Sequence, residues 1–166
     1  MAEALQITER ATAELRELAH GILPSVLTLG GLRFGVDAFV SRLDLVVDVD
    51  VSRERLPPDI EASAYFIVAE ALTNVVKHAQ ATRAEVRARV NGDVIAIEVR
   101  DDGVGGADPR GHGLVGVTDR VDALGGRLRI ESGRGTVLIA ELPLPSHEAT
   151  RAGSPPNAMP SRVNRE

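Results

Sequence analysis

Cysteine is absent from the 166-residue chain, which excludes disulfides, thiolate catalysis and cysteine-ligated zinc together. Tryptophan is absent too, and the aromatic residues are confined to Phe34, Phe39, Tyr65 and Phe66. Proteins that grip single-stranded nucleic acid stack bases on aromatic rings and draw phosphates to basic surfaces. With so few rings, a net charge of -5 and a pI near 5.4, no direct contact with nucleic acid is expected. No apolar run approaches the roughly 18 residues that span a bilayer, and no signal-peptide core follows Met1. The expectation is a soluble, cytoplasmic protein with no membrane segment in this chain. What is present suffices for one core: 43% apolar and 26% charged residues, over about the length of one domain with a short appendage.

Periodicity divides the chain. Ala11, Leu15, Leu18 and Ile22 recur at helical spacing, so 2–22 reads as an amphipathic helix that Pro24 stops. A weaker helix is predicted over 32–43, after the Gly30-Gly31 break. The period then falls to two, as Leu43, Leu45, Val47, Val49 and Val51 alternate with mostly acidic residues in the pattern of a half-buried strand. Pro57-Pro58 resets the chain ahead of a long helix over 59–79 with Ile60, Ala64, Ile67, Val68, Ala71, Leu72 and Val75 on its core face. A hairpin follows, in which Ala84, Val86, Ala88 and Val90 alternate with polar residues, Asn91-Gly92 suits a type I′ turn, and 94–100 returns. A Gly-rich loop over 101–113, a helix over 114–124 and strands over 127–132 and 136–142 complete the ordered part. The order implies an α+β fold, a two-layer sandwich with helices on one face of a mixed β-sheet. Beyond Pro145 the periodicity vanishes, and 146–166, with Pro155, Pro156 and Pro160 among small polar residues, is expected to be a disordered tail. There are no internal repeats.

Three clusters carry chemistry. Within the long helix, Glu70 and Asn74 lie four residues apart on one face, and Lys77 and His78 continue it a turn later. An amide carbonyl can ligate Mg²⁺, a neighbouring carboxylate can hold the metal's waters, and a lysine suits phosphate oxygens. Taken alone, the same residues also read as a solvated helix face. Second, Asp101-Asp102-Gly103-Val104-Gly105-Gly106 directly follows a strand. A carboxylate there can accept the exocyclic amine of adenine while glycines admit close backbone approach, although an acidic turn has the same composition. Third, Gly111-His112-Gly113-Leu114-Val115-Gly116 opens onto a helix, where free N–H groups attract phosphate; alone such a pattern is more often a plain loop. Neither a full dinucleotide fingerprint nor a G-x-x-x-x-G-K-[ST] phosphate loop occurs.

Read together, the clusters resemble the ATP-binding domain of two-component sensor histidine kinases, within the gyrase–Hsp90–kinase–MutL superfamily, over about residues 1–145. Glu70…Asn74…Lys77-His78-Ala79 is similar to the asparagine box, and Asp101-Asp102-Gly103-Val104-Gly105 to the D-x-G-x-G box. Gly111-His112-Gly113-Leu114 resembles a second glycine box on a short lid, and Gly133-Arg134-Gly135-Thr136 a closing G-x-G-T. The run Leu15-Arg16-Glu17-Leu18-Ala19-His20-Gly21-Ile22-Leu23-Pro24 resembles the second helix of the dimerisation and phosphotransfer hairpin in NarX- and DesK-like kinases. The resemblance implies ATP and Mg²⁺ as cofactors, with Glu70, Asn74 and Lys77 as catalytic residues. Asn74 would hold the metal, and Glu70 would act on it through water. Asn74, Lys77, His78, Asp101, Gly103, Gly105, Gly111, His112, Gly113, Leu114 and Thr136 would contact the nucleotide, Asp101 reading adenine. It also implies three segments: 1–24 as the hairpin helix, 25–145 as the ATP-binding domain and 146–166 as the tail.

A departure from the family pattern matters as much. A phosphoacceptor histidine is expected on a first hairpin helix, ahead of an acidic residue. Of this chain's histidines, His78 and His112 belong to the boxes and His147 to the tail, while His20 is followed by Gly21. A neighbouring carboxylate is what would take up the imidazole proton, so His20 is not expected to be the acceptor. Either the chain is a piece of a longer kinase, or it is half of a split kinase whose acceptor hairpin is another polypeptide; the Met1-Ala2-Glu3 start and the Pro-rich tail favour the second. The expected partners are thus an acceptor-histidine hairpin and a response regulator, with dimerisation through the N-terminal helix. The competing expectations are an anti-sigma factor serine kinase of the same superfamily and a non-catalytic module that binds nucleotide merely to fold.

Overall fold

The computed structural model describes residues 25–106 and 112–145. The predicted helix over 2–22 with His20, the tail over 146–166, and Gly111 lie outside the described residues. Helix α1 (Ser25–Val40) leads to β1 (Val46–Val51) and then α2 (Pro58–Asn74), which continues as a π-helical turn (Val75–Ala79). Strands β2 (Arg83–Asn91) and β3 (Val94–Asp101), helix α3 (His112–Ala123), and strands β4 (Arg127–Gly133) and β5 (Gly135–Pro143) follow. The five strands form one sheet in the order β1-β2-β3-β5-β4; β1 and β2 run parallel and the other neighbours antiparallel, the mixed sheet that was expected.

Alternation decides which side of the sheet is covered. The pairings Val49–Val86, Val86–Val99, Val99–Leu138 and Leu138–Ile130 make one apolar row across all five strands. A second row runs Val51–Ala88–Ile97–Ala140–Leu128. All three helices lie on this side, α2 in the middle, with Ile60, Ala64, Ile67, Val68, Ala71 and Leu72 buried. The opposite side carries arginines and carboxylates in ion pairs such as Arg83–Asp48 and Arg89–Asp50 and has no helix on it among the described residues.

Several boundaries differ from the periodicity. Gly30-Gly31 does not delay α1, because Gly31 takes φ +70° and kinks a helix already running from Ser25. Only glycine enters that left-handed region without strain. Pro58 occupies the first helical position of α2, where its fixed φ fits and its missing N–H costs nothing. The hairpin turn sits one residue later than expected: Asn91 pairs with Val94, leaving Gly92-Asp93 as the loop. Gly92 carries φ +61° and Asp93 has no positive φ, so only the first central residue is left-handed, the II′ pattern rather than I′.

Candidate functional site

Between the C-terminal half of α2, the start of α3 and the ends of β3, β4 and β5 lies a cavity of about 590 Å³. Its apolar wall consists of Ala71, Val75, Ala79, Val99, Ile130, Leu114 and Leu138. Its polar lining is Glu70, Asn74, Lys77, His78, Asp101 and Thr136, with Gly105, Gly106 and Gly113 contributing backbone. Nine of the residues nominated from sequence therefore share one cavity: Glu70, Asn74, Lys77, His78, Asp101, Gly105, Gly113, Leu114 and Thr136.

Asp101 owes its position to the pleat. Ile95, Ile97 and Val99 point into the core, and Asp101 falls on the same phase, so a carboxylate enters an otherwise apolar row and is only 6% exposed. The Gly103 N–H donates to its Oδ1 at 2.8 Å; Oδ2 accepts no hydrogen bond among the described residues. The next carboxylate faces the other way. Asp102 accepts from the Thr82 N–H and hydroxyl and from the Arg83 N–H, at 2.8, 2.6 and 3.0 Å, tying the end of β3 to the start of β2. Those donors, the Thr82 hydroxyl first, hold the Asp102 carboxyl below the usual carboxylate range.

The polar end of α2 is shaped by a change of helical register. Glu70 and Asn74 lie in the α-helix, whereas Lys77 and His78 lie in the π-turn, which Gln80 ends in a left-handed conformation at φ 52°. Single π-turns widen a helix locally and recur at functional sites. Here the turn leaves Lys77 and His78 exposed at the cavity mouth. Glu70 is half-buried, and its desolvation pushes the carboxyl above the usual range, with Lys77 opposing that shift.

The glycines fall into different roles. A Cβ at Gly113 would overlap the Glu70 carboxylate, so α3 begins directly against that side chain. Gly105, at φ +71°, lies against the Gly133 and Gly135 carbonyls and carries the chain past the β4–β5 turn. Gly103 does not line the cavity. Its Cα abuts the Ala79 carbonyl, and the Val104 N–H donates to that oxygen at 2.8 Å, so it closes the loop onto the π-turn. His112 opens α3 beside Gly113. Sequence reasoning did not nominate Ala71, Val75, Ala79, Val99, Gly106, Ile130 or Leu138 as lining residues; the apolar ones carry ordinary core spacing.

A buried carboxylate with one oxygen unbonded among the described residues at the head of an apolar slot, and an amide, a lysine and a histidine at its mouth, suit a flat polar ring followed by an anionic chain. Residues 59–146 match the family model described as histidine kinase-, DNA gyrase B- and HSP90-like ATPase. The chain belongs to this ATPase family. It is similar to the oxygen sensor histidine kinase NreB of Staphylococcus carnosus, at 32% identity over 83% of this chain and 44% of the relative. The sensor histidine kinase YxjM of Bacillus subtilis is 31% identical over 85% of this chain and 36% of its own length. The chain thus spans less than half the length of these relatives. Among solved structures, the blue-light activated histidine kinase of Erythrobacter litoralis superposes with a TM-score of 0.61 at 25% identity, covering 84% of this chain and 48% of that one. The ATP-binding domain of PrrB from Mycobacterium tuberculosis gives a TM-score of 0.55 at 25% identity, over 71% of this chain and 95% of that domain. The described part is therefore a histidine-kinase-type ATPase domain, and no helix in it is long and apolar enough to cross a membrane.

Proposed function

We propose that this chain binds Mg-ATP in the cavity between α2 and α3. It then donates the γ-phosphoryl group to a histidine on a partner's helical hairpin, from which it passes to a response regulator. The observation that most supports this reading is Asp101: a buried carboxylate with one oxygen satisfied and the other without a hydrogen bond among the described residues, at the inner end of an apolar slot. That oxygen would accept the adenine amine, and the apolar wall would take the base. Lys77 and His78 at the mouth, with Thr136 and the backbone of Gly105, Gly113 and Leu114, would hold ribose and phosphates; Gly111 and His112 join this proposal on the sequence pattern. Gly103 supports the loop rather than the ligand.

Among the described residues no three His, Cys, Asp or Glu side chains cluster as a cation cage. The Asn74 side-chain carbonyl and the half-buried Glu70 carboxylate both line the cavity and are the oxygen donors that would hold Mg²⁺, Glu70 through water. When bound, Mg²⁺ supplies neutralisation of the charge on the transferring group. The chain's own residues supply position and fixed charge, and the attacking imidazole comes from the partner. His20, followed by Gly21, lacks the acidic neighbour that would take its proton, so it is not the acceptor in this reading. In the same reading 1–24 is a hairpin helix that dimerises or docks in a bundle, 25–145 is the catalytic domain, 146–166 is a tail, and the setting is the cytoplasm, where ATP is available.

The test is to incubate the chain with γ-labelled ATP, alone and with an acceptor hairpin carrying a His-Asp or His-Glu pair. Acid-labile, alkali-stable label on the hairpin is expected. Label confined to His20 overturns transfer in trans, alkali-labile label points to a serine kinase, and no nucleotide uptake in excess Mg²⁺ overturns the whole reading.

A further inference from the structure

Helix α3 meets α2 through a short series of contacts that run in opposite directions along the two helices. Gly113 lies against Glu70, a Cβ at Gly116 would sit 3.7 Å from Phe66 Cζ, and the Arg120 guanidinium carbon lies 4.3 Å from the centroid of the Phe66 ring. Phe66 and Glu70 are one turn apart on α2, so α3 packs antiparallel to it. The two glycines put no side chain between the helices. On α3's inner side, Val117 and Val121 are fully buried. Apolar contact of that kind holds a helix down but resists sliding along its axis weakly, since dispersion has no preferred direction.

Arg120 is the directional element. Its Nε is buried and has no acceptor among the described residues, and the surrounding burial lowers the pKa of its guanidinium. A buried donor without an acceptor is destabilising, so hydrogen bonding by Nε to the described residues does not explain an arginine rather than a leucine at this place. What a leucine lacks is a planar cation that lies over the face of one ring and fixes both rotation and axial register.

We propose that Arg120, stacked on Phe66, is a positioning residue for the nucleotide cavity: it fixes where α3 stands along α2 and so where Gly113 and Leu114 enter the cavity wall. Arg120 lies seven residues from Gly113, about 10 Å along the helix, so it acts through α3 and not by touching the ligand. The proposal rests on the nucleotide reading given above.

The test compares the unsubstituted chain with Arg120→Leu, Arg120→Lys, Phe66→Leu and the Arg120→Leu/Phe66→Leu double variant. Mg-ATP affinity is measured by calorimetry, and amide hydrogen exchange by NMR without nucleotide. Arg120→Leu and Phe66→Leu are each expected to weaken Mg-ATP binding by roughly three- to tenfold, the size of a partly desolvated cation–π contact, with Arg120→Lys in between. The double variant should be no weaker than the worse single one, because both substitutions remove the same contact. Exchange at Val117 and Thr118, whose N–H groups bond the Gly113 and Leu114 carbonyls in α3, should speed up while amides of β2 and β3 stay protected. A lower melting temperature with unchanged affinity and unchanged exchange at Val117 and Thr118 overturns the proposal and leaves the functional reading standing. Failure of the unsubstituted chain to bind Mg-ATP overturns both. If Arg120→Leu does not fold, Arg120→Lys and Phe66→Leu carry the same comparison.

Discussion

At the start of α2, Glu61 is 1% exposed and the chain supplies the contacts it needs. Arg55 donates from Nε to Oε1 at 2.9 Å and from a terminal nitrogen to Oε2 at 3.2 Å, and the Leu56 N–H donates to Oε1 at 3.1 Å. The same guanidinium reaches the Leu27 carbonyl at 3.3 Å, so one buried carboxylate ties α1, the β1–α2 connection and α2 together. About two and a half turns further along, Glu70 is half-buried with Lys77 near it, and Asp101 beneath has an oxygen that no described group occupies. Both ends bury carboxylate. At one end the described residues complete the hydrogen bonding, and at the other the carboxylates line the cavity. A carboxylate oxygen that lines a concave site with no hydrogen bond to the described residues is placed to take a ligand's donor.

The comparison predicts opposite outcomes for removing each acid. Glu61→Ala strands the Leu56 N–H and frees Arg55, and is expected to cost about 3 kcal/mol of stability, read from urea denaturation, with Mg-ATP affinity preserved where the variant stays folded. Asp101→Asn keeps an oxygen for the Gly103 N–H but removes the charged acceptor. It should weaken Mg-ATP binding about 100-fold, or roughly 2.7 kcal/mol, with a small change in denaturation midpoint. If Asp101→Asn lowers stability as much as Glu61→Ala and leaves binding intact, the distinction between the two ends fails.

Much of this was legible in the chain itself, for identifiable reasons. The alternation over Ile95, Ile97 and Val99 extends to Asp101, so a reader of period two already finds a carboxylate on the core side of a strand. The four-residue spacing of Glu70 and Asn74 survives because both lie in regular helix. What could not be read depends on other parts of the fold. Ile130 and Leu138 border the cavity only because β5 sits between β3 and β4, and nothing local separates them from ordinary core. The π-turn over Val75–Ala79 has the composition of plain helix, and the Gly31 kink passes for a break because glycine serves both purposes. Arg120 on Phe66 joins residues 54 positions apart, beyond any local pattern.

Glu70 sharpens the contrast by pH. Burial raises its carboxyl above the unfolded value of about 4.3, so the neutral form suits the fold better. Its favourable contribution is full below the unfolded pKa and is lost as pH rises through the raised folded one. Glu70→Gln stays neutral throughout. It should therefore be slightly more stable than the parent near pH 7, by no more than about 0.5 kcal/mol after solvent screening, with the gap closing below about pH 4. Phosphotransfer should fall about tenfold if Glu70 orients the metal's water. A variant that gains stability while losing activity separates a residue held for chemistry from one held for the fold. Equal stability at all pH values removes the burial argument for this end of α2.

The smallest effect belongs to the open face of the sheet, where Asp50 pairs with Arg89 and stands opposite Arg87 in the β1–β2 ladder. Both partners in the pair are more than half exposed, at 52% and 66%, so water already solvates each charge and the side chains lose entropy by meeting. Asp50→Asn should change stability by less than about 0.5 kcal/mol, diminishing further in high salt, and leave Mg-ATP binding unchanged. Three carboxylates in one small domain thus give three outcomes: a large effect for Glu61 in stability, a large effect for Asp101 in binding, and almost none for Asp50 in either. Burial with completed partners, burial with an unpaired oxygen, and exposure account for the order, whatever the number of ion pairs. A loss above 1 kcal/mol for Asp50→Asn would mean that something covers this face in solution, since only desolvation lets a single surface pair matter that much.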